Sequence, residues 1–308
     1  MVSSNLNVVV VGLGVQGLKR AKVAKDDLVA TVDTDKNSTS ANYSNIDEID
    51  DKEYEAVLLC TPDSVKYDLL KHILNKKKHV LVEKPLFFNK SQDLRELQHI
   101  ANQNNVVLYT AYNHRFEPHF VNMKTILDSN ELGKIYRIRM FYGNGTSALV
   151  KQSAWRDKGA GVILDIGSHL LDTLIFWFKD SEINMDHYES FCFENMSPDH
   201  ALLRGKINNI FVELEVSLMS WKNDFICDVI GSKGSAHISS LCKWGPSKLI
   251  KRNRVMPAGK PDENIVTLTQ SDPTWLEEYK YFKSLISNNS KNDLSTDIKI
   301  FNILKSCV

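Results

Sequence analysis

The sequence predicts an α/β fold with a doubly wound parallel sheet in its first third, followed by an α+β fold with a large, open, mainly antiparallel sheet. Up to about residue 115, short apolar runs alternate with helical stretches, which is typical of βαβ units. Beyond that point, closely spaced strands are joined by turn sequences, which is typical of hairpins. The length of 308 residues fits about two domains. We place these domains at 1–115 and 116–308.

The predicted strands of the first domain are continuous apolar runs, the pattern of strands that are buried on both faces of a parallel sheet. They are expected at Asn7–Val11, Leu28–Val32, Ala56–Cys60, His79–Val82 and Val106–Ala111. Helices are expected at Gly17–Lys25, Ser64–Asn75 and Gln92–Asn102. Helical crossovers between the strands allow them to lie parallel.

The second domain is predicted to combine helices with a meander of strands. Its strands are expected at Ile135–Tyr142, Tyr188–Glu194, Ala201–Asn208, Ile210–Ser220, Phe225–Gly231 and Ser235–Ser239. Its helices are expected at Pro118–Asn130, Gly161–Phe178, Thr274–Ser287 and Thr296–Ser306. The turn pair Asn208-Asn209 and the stretch Gly231–Gly234 favour antiparallel hairpins.

Composition excludes several classes of protein. Lysine plus arginine and aspartate plus glutamate both number 38, so the formal charge is zero, whereas proteins that bind nucleic acid usually carry a basic excess. No apolar run is long enough to span a membrane. The first apolar run is short, follows no basic segment and continues into a glycine motif, so we expect no secretion signal. The five cysteines are scattered, which favours reduced thiols in the cytoplasm, and no residue spacing predicts a metal site.

A glycine motif follows the first predicted strand and opens the first predicted helix. It reads Gly12, Leu13, Gly14, Val15, Gln16, Gly17 and fits G-x-G-x-x-G. In this context the first glycine allows a tight turn, the second allows the backbone to approach a pyrophosphate, and the third allows close packing of helix on strand. The helix N-terminus would bind the pyrophosphate. The motif therefore predicts a dinucleotide-binding Rossmann domain.

The end of the second predicted strand bears on the choice of dinucleotide. Asp33 stands 21 residues after Gly12, where an acid accepts hydrogen bonds from the adenosine ribose. Its carboxylate would repel a 2′-phosphate, and Thr34 follows without a nearby arginine. NAD is therefore predicted in preference to NADP. The alternative interpretation of Asp33 is a simple turn cap.

Two further groups of residues are candidates for chemistry. Glu83-Lys84-Pro85 follows the fourth predicted strand, at the edge where doubly wound sheets bind ligands, and Lys84 could reach a nicotinamide ribose or a substrate hydroxyl. Asp165 and His169 are four residues apart on an otherwise apolar helix, so they share one face. A carboxylate near an imidazole can orient it as a general base. The alternatives are a surface lysine, a helix cap and a hydrogen-bonded core histidine.

The ordered motifs resemble those of the glucose–fructose oxidoreductase / inositol dehydrogenase / rhizopine catabolism (Gfo/Idh/MocA) family of oxidoreductases. The resemblance covers nearly the whole chain. It rests on GLGVQG at 12–17, Thr61-Pro62-Asp63, Glu83-Lys84-Pro85, Asn113-His114-Arg115-Phe116, Glu131–Ile135, Trp155-Arg156 and GAGVILDIGSHLLD at 159–172.

The resemblance implies a catalytic trio of Lys84, Asp165 and His169. It also implies that Thr61 and Pro62 line the adenosine side of the cofactor and that Glu83 lies near the nicotinamide end. Cys60, which ends the third predicted strand, is expected beside the cofactor. Two departures from the family pattern concern the adenosine side, because Asp63 replaces an asparagine and Lys66 replaces a histidine. A third is Ala160 in a usual triple glycine.

We expect an NAD(P)-dependent dehydrogenase that moves hydride between nicotinamide and a hydroxyl carbon of a sugar, cyclitol or nucleotide sugar. His169 would take the hydroxyl proton. Arg115, Trp155 and Arg156 are expected around the substrate, where two arginines would suit an anionic group. The resemblance also implies a homodimer or homotetramer formed through the second domain's sheet. The alternatives are a glycoside-cleaving relative that recycles its NAD, and a non-catalytic dinucleotide-binding regulator.

Overall fold

The computed structural model describes residues 6–35, 40–153, 156–179 and 181–307. The chain divides into two compact units. The first contains the residues up to Asn113 together with Thr274–Phe301, and the second contains His114–Pro273 and the residues from Asn302 onward. The first boundary lies close to the expected one at 115/116. The segment Thr274–Phe301 belongs to the first unit, whereas the predicted boundaries place it in the second domain.

The first unit is built on a five-stranded sheet in which all neighbouring strands are parallel, as predicted. Its strands are β1 (Val8–Val11), β2 (Leu28–Val32), β3 (Ala56–Leu59), β4 (His79–Glu83) and β5 (Leu108–Ala111), in the order β2-β1-β3-β4-β5. Helices α1 (Val15–Ala24), α2 (Asp63–Asn75) and α3 (Ser91–Gln103) connect them. Val9 and Val11 enter one apolar cluster and Val8 and Val10 another. Both faces of the sheet are therefore covered, which confirms the doubly wound fold.

The second unit contains an eight-stranded, mainly antiparallel sheet, which confirms the second predicted fold. The strands are β6 (Ile135–Gly143), β7 (Ile183–Phe191), β8 (His200–Ile207), β9 (Ile210–Ser217), β10 (Asp224–Gly231), β11 (Gly234–Ser239), β12 (Ser247–Asn253) and β13 (Glu263–Leu268). Their order is β13-β12-β11-β10-β6-β9-β8-β7, with β6 and β9 parallel. β12 and β13 were not predicted from the sequence. β12 carries three basic residues and β13, at the edge of the sheet, is exposed along nearly its whole length, so neither has the apolar run of a buried strand.

The helices of the second unit include α4 (Pro118–Asp128), α5 (Ser147–Lys151) and α6 (Ser168–Trp177). The predicted helix Gly161–Phe178 is realised in two parts, because a π-helical turn at Ile163–Gly167 precedes α6. The Trp177 indole donates to the Phe120 carbonyl at 3.0 Å and so ties α6 to α4. Within the described part of the chain, no helix is long and apolar enough to cross a membrane.

The last helices explain why Thr274–Phe301 belongs to the first unit. Tyr279 and Phe282 of α7 (Thr274–Ser287) enter the apolar cluster of Val8 and Val10. After α7, the side-chain amide of Asn292 accepts from the Leu108 amide at 2.6 Å and donates to the Val106 carbonyl at 2.7 Å. Burying each aromatic side chain contributes about 1.5–3 kcal/mol. These contacts join residues that are far apart in the chain, so no local pattern revealed them. The final helix, α8, spans Ser295–Lys305.

Candidate active site

Two glycines of the turn between β1 and α1 are required by close backbone contacts. Gly12 has φ +89°, and a Cβ built on it would lie 2.7 Å from the Cys60 carbonyl oxygen. A Cβ on Gly17 would lie 1.8 Å from the Gly12 carbonyl oxygen. Any side chain at either position would displace backbone. The first and last glycines therefore shape the turn itself.

The middle of the same turn is open. A Cβ on Gly14 would meet no atom within 4 Å. Gly14 is also the N-cap of α1, which has no side-chain cap hydrogen bond and no acidic residue in its first turn. Helix N-termini of this kind offer N–H donors and a partial positive charge. The turn therefore fits a diphosphate group, with Leu13 buried and Val15 and Gln16 exposed beside it.

Asp33 is anchored to the glycine turn. Its carboxylate accepts a hydrogen bond from the Leu13 amide at 2.6 Å and one from the Asp35 amide at 2.9 Å. Each carboxylate oxygen has two acceptor sites, so these bonds leave capacity for ribose hydroxyls. Asp33 is half-buried and the neighbouring Thr34 is exposed. The turn-cap interpretation and the ribose-binding interpretation are therefore compatible.

The segment between β3 and α2 contributes a buried polar atom that fits a ligand. The Thr61 hydroxyl oxygen is buried and finds no hydrogen-bond partner among the described residues. Pro62 precedes the first residue of α2. The Cys60 amide donates to the Val11 carbonyl at 2.8 Å, which places Cys60 beside Gly12. Burial, and then the negative Glu83, raise the pKa of the Cys60 thiol, so it stays neutral.

The corner after β4 is held by two buried cations. Arg20 of α1 donates from Nε to Glu83 at 2.8 Å, contacts Glu278 at 2.7 Å, and lies 4.3 Å from the centre of the Trp275 ring. Burial by itself would lower the pKa of Arg20, but Glu278 and Glu83 raise it overall, so the guanidinium stays charged. Lys66, the second cation, lies under the backbone of the corner. Glu83 is therefore bound to α1, the helix that follows the glycine turn, which we call the glycine helix.

In the second unit, His169 lies at the end of a stack of aromatic rings. Its imidazole is parallel to that of His114, with ring centres 4.0 Å apart and planes 20° apart. His114 stacks in turn on Tyr142, at 5.6 Å and 25°. His114 is buried, and this stack restrains the orientation of His169.

Asp165 lies on the π-helical turn that precedes α6, and Arg156 contacts its carboxylate at 3.3 Å. Turns of this kind occur frequently at functional sites. The aspartate side chain is half-exposed, at 47%. Asp165 and His169 are thus carried by one continuous helical segment, as the four-residue spacing predicts, although the helix type changes between them.

The two arginines that were expected around a substrate are both engaged by carboxylates. Arg115 forms a fork of hydrogen bonds to Asp172, with its Nε at 3.0 and 3.1 Å and a terminal nitrogen at 2.5 Å. Asp172 is fully buried. Arg115 is thereby part of the framework under α6, while Arg156 is partly exposed. Trp155 lies outside the described residues.

Removing one partner of the Arg115–Asp172 pair should destabilise the second unit. Arg115→Met leaves a buried carboxylate without its counter-charge, and we expect a loss of about 3–5 kcal/mol of unfolding free energy in chemical denaturation. Burial already raises the pKa of Asp172 despite Arg115. A raised carboxyl pKa stabilises the folded state at low pH, and this stabilisation is lost as the pH rises through the folded pKa. The deficit of the variant should therefore shrink as the pH is lowered.

The control is the double variant Arg115→Met, Asp172→Leu, which removes both charges and leaves no unpaired group. It should be more stable than Arg115→Met alone. A double variant less stable than the single one would contradict this account of the pair.

Several residues that surround the predicted site residues have no clear signal in the sequence. His114 was quoted only as part of a motif, although it contacts His169 directly. Tyr142 was predicted as an ordinary strand residue, and Lys243 donates to its hydroxyl at 3.0 Å. Asp172 was part of a motif without a role. An acid on an apolar helix was the one available signal for Asp172, because such a charge requires a partner.

No cluster of three or more potential metal ligands occurs among the residues that the structure describes. The glycine turn with its uncapped helix, the acid after β2 and the buried threonine hydroxyl together fit a dinucleotide, the cofactor of many oxidoreductases. The chain belongs to the Gfo/Idh/MocA family of oxidoreductases. Residues 6–112 match the family model described as "Oxidoreductase family, NAD-binding Rossmann fold", and residues 120–237 match the GFO/IDH/MocA C-terminal domain. The predicted family and the predicted NAD cofactor are thereby confirmed.

Named relatives share parts of the sequence. An uncharacterized oxidoreductase of Schizosaccharomyces pombe is 31% identical over 140 residues, which cover 44% of this chain and 37% of the relative. Glucose-6-phosphate 3-dehydrogenase of Bacillus subtilis is 25% identical over 223 residues, covering 65% of this chain and 63% of the relative. The chain thus spans less than two thirds of the length of these curated relatives. The structure of levoglucosan dehydrogenase in complex with NADH aligns with this chain with a TM-score of 0.82 at 16% sequence identity. The alignment covers 99% of this chain and 96% of that one.

Proposed function

We propose that the protein is an NAD-dependent dehydrogenase that oxidises a hydroxyl-bearing carbon of a sugar, cyclitol or nucleotide sugar, or reduces the corresponding carbonyl. The observation that carries this proposal is the ring stack beneath His169. A histidine four residues after an aspartate, on an apolar helix and pressed against a second imidazole, has the restricted orientation that a general base requires.

We assign the cofactor to the first unit. The N–H groups at the start of α1 would bind the diphosphate, Asp33 would accept from the adenosine ribose, and the Thr61 hydroxyl would gain the partner that it lacks among the described residues. The negative charge of Asp33 disfavours a 2′-phosphate, which supports NAD over NADP. When bound, NAD supplies the hydride acceptor at its nicotinamide ring.

Each catalytic side chain is assigned one task. His169 takes the proton of the substrate O–H group as the carbon that bears this group gives up its hydride. The C–H and O–H bonds of the substrate are broken, its C–O bond becomes a carbonyl, and His169 becomes an imidazolium. Asp165 supports the positive charge that forms on the imidazole. Lys84 donates a hydrogen bond to the same substrate oxygen and disperses its developing negative charge. In reduction the proton moves from His169 back to the oxygen.

We propose that Trp155 and Arg156 contact the substrate. Arg156 is partly exposed and lies beside Asp165. Arg115, bound to Asp172, contributes by fixing the helix that carries His169 rather than by contacting an anion. The relatives that are named for sugar substrates, such as glucose-6-phosphate and levoglucosan, support a sugar-like substrate for this chain.

The test of the proposed function combines binding with turnover. Calorimetric titration should show NAD binding at least tenfold tighter than NADP, which corresponds to about 1.4 kcal/mol. Incubation with NAD and a panel of sugars, cyclitols and nucleotide sugars should then produce NADH absorbance with at least one of them. Binding of neither dinucleotide would refute the proposal. Release of a sugar without net NADH would favour the NAD-recycling alternative.

We further propose that the outer face of the eight-stranded sheet joins copies of the chain into a dimer or tetramer. Ile226 and Ile230 project from this face of β10 and are 41% and 36% exposed. Asp228 lies between them, opposite Arg139 of β6 and His237 of β11. Exposed apolar side chains among paired charges are typical of an association surface.

Ile226→Arg should disrupt this association. The substitution places a charge in the apolar part of the proposed interface, and we expect the molar mass from light scattering to fall to that of a monomer. The matched control is Val121→Arg on α4, an equally exposed apolar residue of the same unit that lies off the sheet. If the wild-type chain is monomeric, or if both variants behave alike, the sheet is not the interface.

We propose the cytoplasm as the compartment of the protein. The five cysteines are free thiols, and free thiols persist where the redox environment is reducing.

A further inference from the structure

We infer that Lys66 is a positioning residue that holds Lys84 in place from beneath the Glu83–Pro85 corner. This inference rests on the proposed role of Lys84. Lys66 belongs to α2 and is almost fully buried, at 1% exposure. An ammonium in such a place has no water shell, so its three N–H donors must find acceptors within the protein.

All three donors of Lys66 are satisfied, and two of the acceptors flank Lys84. The ammonium donates to the Glu83 carbonyl at 2.9 Å and to the Pro85 carbonyl at 3.2 Å. Its third contact is the Asp63 carboxylate at 2.5 Å. One fixed charge thus grips the backbone immediately before and immediately after Lys84. Rotation of either peptide unit would break a charged hydrogen bond in a buried setting, where such bonds are strong.

Asp63 makes the buried charge tolerable. It is the first residue of α2, where a carboxylate also interacts favourably with the helix dipole. Its side chain is half-exposed, at 47%, so water shares in its solvation while Lys66 remains dry. The two positions at which this sequence departs from the expected asparagine and histidine are therefore bonded to each other. The buried ammonium of Lys66 thus has Asp63 as its counter-charge.

A second contact restrains the same corner through its side chain. Arg20 binds the Glu83 carboxylate, while Lys66 binds the Glu83 carbonyl. Two cations therefore hold this residue. Lys84 thus lies between two residues whose carbonyls are bound by Lys66. Catalysis by a positioned donor is sensitive to displacements of about 1 Å, which can cost about a hundredfold in rate. Lys66 thereby acts on the reaction through Lys84 without contacting the substrate.

Lys66→Met tests this inference against a matched control. Lys78 is another buried lysine of the same unit, and it donates to the carbonyls of Tyr54, at 2.7 Å, and Asp51. Lys78→Met removes a comparable buried charge away from the corner. We expect Lys66→Met to lower kcat by about ten- to a hundredfold while the Kd for NAD changes less than about twofold. Lys78→Met should leave kcat per folded molecule at the wild-type value.

Hydrogen exchange of the unliganded protein provides a measurement that does not require activity. Amide exchange in the segment 83–88 should accelerate at least tenfold in Lys66→Met and stay unchanged in Lys78→Met. Asp63→Asn, at a half-exposed position, should show the same changes in weaker form if Lys66→Met does not fold.

Unchanged exchange at the corner in Lys66→Met would overturn the inference whether or not the protein is a dehydrogenase. Faster exchange with an undiminished kcat would also overturn it. Failure of the wild-type chain to bind NAD or turn over any sugar would instead count against the proposed function, and exchange alone would then decide whether Lys66 fixes the corner.

Discussion

Replacing His169 with asparagine should lower kcat by about 10²–10⁴-fold, the usual contribution of general acid–base catalysis. Asparagine keeps a polar, planar side chain on α6 but cannot accept the substrate proton. The Kd for NAD should stay within about twofold of the wild-type value, because the proposed cofactor residues belong to the first unit and His169 to the second. Steady-state kinetics with NAD and an active substrate, together with NAD titration, measure the two effects separately.

The matched control for this variant is His72→Asn. His72 lies on the surface of α2, where its imidazole contacts Asp47 at 2.8 Å and is 44% exposed. His72→Asn makes the same substitution at a histidine that has no assigned role in catalysis, so this variant should leave kcat unchanged. A kcat for His169→Asn within a few-fold of wild type would exclude His169 as the base. Equal losses in both variants would point to a general effect on folding.

The sequence predicted the first unit best where structure depends on neighbouring residues. β1, the glycine turn and α1 follow one another directly, and each has its own signature: an apolar run, three spaced glycines and a helical stretch. The geometry explains this success, since Gly12 and Gly17 contact each other and the start of the segment after β3. The tail differs. Tyr279 binds Asp27 at 2.8 Å across 252 positions, and such pairings leave no trace in a local pattern.

The candidate site shows the same division. Lys84, Asp165 and His169 were named from their motifs, and their roles remain predictions. What the motifs could not reveal is how other side chains hold them: Lys66 beneath Lys84, and His114 against His169. Arg115 shows another limit of inference from a motif. From the sequence, an arginine beside the expected cleft suggests an anionic ligand, whereas the structure gives it a buried aspartate as partner. A charged residue reveals its requirement for a partner but not the identity of that partner.

Buried charge is a recurring feature of the first unit. Arg20 and Lys66 are both nearly inaccessible, and each is compensated by carboxylates or carbonyls. Buried ion pairs add little net stability compared with apolar residues, but breaking one is costly. Their value here is geometric, because both converge on Glu83 and so connect the glycine helix to the corner that carries Lys84.

The glycine turn allows a stability effect and a binding effect to be separated with one type of substitution. Gly17→Ala places a Cβ 1.8 Å from the Gly12 carbonyl oxygen, so α1 must move away from β1. We expect a loss of about 3 kcal/mol or more of unfolding free energy, measured by chemical denaturation, with NAD binding lost as well. Gly14→Ala places its Cβ in open space, and as an N-cap change it should cost the fold about 1 kcal/mol at most.

Gly14→Ala should nevertheless weaken NAD binding at least tenfold, or about 1.4 kcal/mol, because its methyl group would occupy the space that we assign to the diphosphate. Both variants should therefore bind NAD more weakly, but only Gly17→Ala should lose much stability. If Gly14→Ala binds NAD as tightly as the wild-type chain, the diphosphate does not approach this backbone and the cofactor assignment fails. If Gly17→Ala is as stable as Gly14→Ala, the helix can shift without cost, and Gly17 serves some purpose other than close packing.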